Sequence, residues 1–176
     1  MKTMRSWNIA GAAFALVAGT LLHFVYEWFG GNVWAVLGAV NESTWEHLKL
    51  LFFPVLFWWI IEYFAWGRGE RGFFSVRALS LLAGMFLIVA GFYTYSGIIG
   101  KNYAVVDISL FVLAVLLTFY LVNRYQEGAP FLPLASDIAA VAVLVLFAVG
   151  FAFFTFEPLH IGIFLDPVTG GYGITK

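Results

Sequence analysis

The chain contains no cysteine. That excludes disulfides, iron–sulfur clusters and thiolate zinc sites, so any metal would rest on histidine, carboxylate or carbonyl ligands. Charge is scarce as well: Asp, Glu, Lys and Arg make up 11% of the 176 residues, with a net charge of −1. There is no basic patch with interleaved aromatics, which excludes a nucleic-acid partner. A phosphate-cradling glycine motif and a serine nucleophile elbow are both missing. No internal repeat or low-complexity linker divides the chain, and a single integral membrane domain over residues 1–176 is expected.

What remains is apolar: 62% of residues are hydrophobic and 20% aromatic. A soluble core of this length could not hide so much apolar surface, so the surrounding solvent must be lipid. Five runs, approximately 7–28, 46–66, 74–95, 104–125 and 134–156, are each long enough to cross roughly 30 Å of hydrocarbon as helices. Open strands could not satisfy their backbone there. The expected fold is therefore an all-α, five-transmembrane-helix bundle. A shorter segment, about 30–41, is too brief to span and is expected to be interfacial or re-entrant. Pro54 should kink the second span and free a carbonyl near Leu50. The residues after Phe156 are rich in turn formers and should fold back over one face as an irregular tail.

Orientation follows from the basic residues. Lys2, Arg5, Arg68, Arg71, Arg77 and Arg124 fall on one side of alternating spans, whereas Lys49, Lys101 and Lys176 fall on the other. The positive-inside rule then puts the N-terminus in the cytoplasm and the C-terminus outside. Met1 to Leu22 has the outline of a signal peptide, but its apolar run is long and lacks a small-x-small cleavage site, so a retained anchor is expected.

This topology gathers the polar residues. His23 and Glu27 end the first span one helical turn apart. The second opens with Asn41-Glu42-Ser43-Thr44-Trp45-Glu46-His47-Leu48-Lys49, where Asn41 is a good cap and Ser43 with Glu46 has capping-box spacing. A helix from Asn41 would set Glu42 and Glu46 on one face. Tyr93 and Tyr95 end the third span, Asn102 and Asp107 open the fourth, and Glu157, His160 and Asp166 follow the fifth. All three histidines therefore share the extracytoplasmic side. Each residue has an ordinary alternative: a His–Glu helix cap, a wet turn, a helix-dipole acid or a solvated loop histidine. Ionisable groups at membrane depth nevertheless tend to pair and to mark sites. His23, His47, His160 and Glu42 are candidate ligands of a divalent metal, which could be zinc, iron or manganese. Glu46, Glu27 and Asp107 are candidate catalytic carboxylates, and Lys49 could offset the acids or bind a lipid phosphate. Glu62, at the opposite end of its span, is expected to pair structurally with Arg68, Arg71 or Arg77.

Four blocks carry a resemblance: His23-Phe-Val-Tyr-Glu27-Trp; Asn41 to Pro54; Tyr93-Thr-Tyr-Ser-Gly-Ile-Ile-Gly100-Lys-Asn102 leading to Asp107; and Pro158-Leu-His160-Ile with Asp166-Pro167-Val-Thr-Gly-Gly-Tyr172-Gly173. In this order they resemble a family of small bacterial polytopic membrane proteins of unknown function. The resemblance implies a multi-pass protein of the bacterial cytoplasmic membrane and brings no activity. Three functions fit these residues. One is a metal-dependent hydrolase of a lipid or lipid-linked substrate. The others are a small transporter or ion/proton conduit, and a non-enzymatic structural or regulatory subunit. Membrane lipid is the expected partner, and a homo-oligomer is compatible with every one of these readings.

Overall fold

The computed structural model describes residues 2–127 and 133–174. Lys176, which enters the charge asymmetry, lies outside them. The fold is all-helical: α1 (Lys2–Phe29), α2 (Gly31–Leu37), α3 (Thr44–Glu62), α4 (Phe73–Ile99), α5 (Ala104–Tyr125) and α6 (Leu134–Phe156). A π-helical turn, Tyr63–Gly67, extends α3, and a single 3₁₀ turn, Gly162–Phe164, interrupts the tail. Five helices are long and apolar enough to cross a membrane: Met4–Phe29, Thr44–Gly67, Phe73–Ile99, Ala104–Tyr125 and Leu134–Phe156. The chain is accordingly a multi-pass membrane protein. The fourth and fifth spans start and stop where the apolar runs do. The third runs four residues further than expected, because Gly100 rather than Tyr95 supplies the left-handed stop, at φ 81°.

Small residues set the packing. Gly11, Ala15 and Gly19 recur every four residues along one face of α1, so the backbones of α1 and α3 can approach closely. A Cβ on Gly19 would stand 2.5 Å from the carbonyl oxygen of Leu50. That carbonyl is the one Pro54 cannot bond, four residues on, for want of an N–H. The freed acceptor therefore sits where α1 is narrowest. α4 packs most extensively on α5, and Leu51, Phe52, Val55, Trp59, Leu81, Val115 and Phe151 form the centre of the core.

The two ends of the bundle are pinned by buried polar groups. At one end, Arg77 gives Nε (3.2 Å) and Nη2 (2.8 Å) to Glu62 Oε2 and Nη1 (2.6 Å) to Gln126, with its guanidinium 3.5 Å from the Phe73 ring centre. Of the three arginines open to Glu62, Arg77 is thus its partner. Asp137 of α6 caps α4 from outside, accepting from the backbone N–H of Gly72 (2.7 Å) and of Ser75 (2.8 Å).

At the other end, Gly30 and Gly31 turn the chain with φ of 60° and 80°, values that a side chain would strain. The expected non-spanning segment follows as the seven-residue α2, which buries Ala35 and packs on α1, α3 and α6. The tail closes over this end. Its Leu165 and Tyr172 form one antiparallel bridge, Asn41 Nδ2 donates to Gly173 O at 2.6 Å, and Phe164 packs on Trp45 with centroids 4.9 Å apart.

Candidate metal centre in the tail-side cleft

α3 does not begin at Asn41. Ser43 is its N-cap, with Oγ accepting from Glu46 N at 3.3 Å, while Asn41 Oδ1 accepts from Ser43 N at 2.8 Å in a preceding turn. The start is set by the capping-box pair: Ser43 and Glu46 open the helix, and Asn41 instead ties the preceding turn to the tail through Gly173. This start reorganises the acids. Glu42 lies off the helix and leans toward α1, whereas Glu46, on the helix, turns into the core. The two do not share a face.

Glu46 and Lys49 form a fully buried ion pair one turn apart. Lys49 Nζ also donates to Ala35 O (2.7 Å) and Thr155 Oγ1 (2.9 Å), and Val40 N donates to Glu46 Oε2 (3.0 Å). α2, α3 and α6 are tied together by this network. Its members are consumed by one another.

Glu42 instead meets two histidines. Its Oε1 is 3.8 Å from His23 Nε2 and its Oε2 is 3.5 Å from His47 Nε2, and the two imidazole centres are 5.3 Å apart. His47 Nδ1 lies 2.9 Å from the carbonyl of Ser43. A carbonyl only accepts, so this nitrogen carries a proton, and in the neutral ring Nε2 is then the nitrogen with the lone pair. Such an outer hydrogen bond is what orients a ligating histidine. The 3.5 and 3.8 Å separations are too long for good hydrogen bonds. Ligand atoms of His23, Glu42 and His47 all lie within 4.8 Å of one another, and among the described residues no other such group of three forms.

The cluster stands at the mouth of a cleft of about 440 Å³ between α1, α3, α4 and α5. Its upper wall is polar, with Asn102 and Asp107 on the α5 side, and its floor is apolar, with Leu50, Ile88, Phe92 and Phe111. Val168 of the tail forms part of the rim. Asp107 is held by the Tyr95 hydroxyl, through a short bond, and by Asn102 Nδ2 at 3.4 Å. Tyr95 in turn accepts from Tyr103 N at 3.0 Å. The part of Tyr95 escaped notice in the sequence; its only signal was the turn that separates it from Asp107.

The remaining expected site residues fall elsewhere. Three histidines do not converge: His160 is exposed and stacks on Tyr172, which the bridge to Leu165 holds in the tail, centroids 4.5 Å apart. Glu27 is exposed one turn beyond His23. Asp166, outside the spans, is a tail anchor. Burial pushes its carboxyl up, but the N–H of Val168, the hydroxyl and N–H of Thr169 and the N–H of Glu42 outweigh that and hold it below the usual aspartate value.

The match across the whole chain now decides the kinship. The chain belongs to the family of unknown function DUF6512. The family model matches residues 1–174, which takes in all four sequence blocks and every residue of the cleft. No curated protein and no solved structure matches the chain. DUF6512 membership therefore fixes kinship and leaves the chemistry to the residues.

Proposed function

We propose that this protein is a divalent-metal-dependent hydrolase of an amphiphile, working at the extracytoplasmic face of a bacterial cytoplasmic membrane. The observation that carries this reading is the convergence of two imidazoles and one carboxylate, with ligand atoms within 4.8 Å of one another, on the polar end of an otherwise apolar cleft. Two histidines, one carboxylate and an open position form a catalytic rather than a structural donor set. The same set suits zinc or ferrous iron. The sidedness rests on the basic residues that flank the opposite ends of the spans.

His23 and His47 would bind the ion through nitrogen and Glu42 through oxygen, with Ser43 O fixing the His47 tautomer. A divalent ion there supplies a Lewis acid and a water nucleophile at neutral pH. The apolar floor takes the acyl or isoprenoid part of the substrate between the helices and leaves its polar bond beside the cluster. Water oxygen joins the carbonyl or phosphoryl centre, the ester bond to the leaving alcohol breaks, and the water proton passes to the departing oxygen. Asp107, anchored by Tyr95 and Asn102, is placed at the same end to handle that proton or the head group.

Glu46 and Lys49 have a structural part in this account, since their network satisfies itself without the cleft. The test is turnover of a mixed lipid extract by protein in nanodiscs loaded with zinc or ferrous iron, followed by mass spectrometry. Glu42→Gln and His47→Ala should lower turnover by at least about 100-fold while the fold persists. Unchanged turnover in both variants would refute the proposal.

A further inference from the structure

The charge around the cleft is one-sided. Its lining contains two carboxylates, Glu42 and Asp107, and no lysine or arginine. Of the lysines at this end of the bundle among the described residues, Lys49 is buried on Glu46 and Lys101 lies over the Tyr103 ring at 4.9 Å. A metal at His23, Glu42 and His47 would answer one carboxylate. Asp107 also lines the cleft, and the two side chains that donate to it, Tyr95 and Asn102, are both neutral. Asp107 does not join a second metal-capable group among the described residues. Two donors also leave carboxylate lone pairs unused. Tyr95, whose hydroxyl bonds Asp107, stands edge-on to Phe92 of the cleft floor at 5.9 Å, so an aromatic ring adjoins the acid.

From this arrangement we infer that Asp107 is the head-group receptor and that the ligand is an amphiphile whose polar head carries an ammonium. This rests on the proposed function, since it names the substrate class of the same cleft. A phosphate or ester oxygen goes to the metal cluster on the α1–α3 side. The ammonium, primary or quaternary, goes to Asp107 on the α5 side, where charge pairing and the neighbouring ring both favour it. The chain of the amphiphile fills the apolar floor. An anionic amphiphile lacking the ammonium would meet Asp107 unpaired and bind less well.

The test compares hexadecylphosphocholine with hexadecyl phosphate, each below its micellar concentration, on the metal-loaded full-length protein by displacement of a fluorescent lipid. The phosphocholine should bind about tenfold more tightly, the order expected of one charge-assisted contact. Asp107→Asn should remove that preference with metal content unchanged, while Asp107→Glu and Tyr95→Phe, which both keep the carboxylate, should retain it. Equal or reversed preference in the wild type overturns the inference, whether or not any variant folds. So does a preference that survives in Asp107→Asn. Metal content is read separately on the same samples. A preference that persists in protein unable to bind metal would leave Asp107 as receptor and defeat only the hydrolase reading.

Discussion

Glu42 and Glu46 lie four residues apart and have different roles, and the difference is burial and partnership. Glu46 is 2% exposed and locked to Lys49, Thr155 and Val40. Removing one member of a buried ion pair strands the other, so Lys49→Met should cost about 3–5 kcal/mol, whereas Glu46→Leu with Lys49→Met should recover much of that loss. Thermal unfolding in a fixed detergent measures both. Glu42 has a side chain one-third exposed, beside two imidazoles. Glu42→Gln should leave the melting temperature unchanged or raise it while metal affinity falls, as when a site residue rather than a core residue is removed. Spacing alone assigned both acids to one helix face. Two caps were on offer, Asn41 and Ser43 with Glu46; the helix opens at Ser43, and Asn41 instead donates to a carbonyl 132 residues away. Local sequence holds no trace of that bond.

At the scale of single elements, most of the architecture was legible because long apolar runs admit one solution in lipid. The partner of Glu62 was narrowed to three arginines by proximity in sequence, and helix phase then selected Arg77, four residues past Phe73, whose carbonyl and ring both face its guanidinium. That the tail folds back over one end was legible; its internal pairing was not. A single bridge, Leu165 to Tyr172, decides that His160 stacks on Tyr172 rather than reaching the cleft, and such a pairing has no periodic signal. Two predictions belong to this scale. Asp137→Ala removes the cap that α6 provides for α4 and should destabilise the protein by about 1–3 kcal/mol by thermal unfolding, since two backbone donors lose their charged acceptor. Gly19→Leu would drive a side chain into the Leu50 carbonyl, a backbone atom that cannot rotate away. It should cost about 1–3 kcal/mol and reduce cleft occupancy as α1 is pushed off α3.

Across the whole molecule, the tail, the loop before α3 and the cleft form one unit: Asp166 grips the Glu42 backbone, Asn41 grips Gly173, and Val168 reaches the cleft rim. Because Asp166 is held below its ordinary value of 3.8, its contribution is present above that pH and is lost as pH falls through the lower folded value. Limited proteolysis of the tail should therefore accelerate on acidification below about pH 4. Asp166→Asn should show faster cleavage already at neutral pH and a weaker pH dependence. The family match covers tail and bundle together, in keeping with a unit that works as a whole. The proposed hydrolase function rests on an ion between His23, Glu42 and His47. The most direct measurement is elemental analysis of purified protein after chelation and reloading with zinc, ferrous iron or manganese. The account predicts about one tightly held divalent ion per chain in the wild type, as for a single site with three protein ligands, and none in His47→Ala. A wild type that returns from reloading with no bound ion, or a His47→Ala variant that binds as much as the wild type, would contradict it.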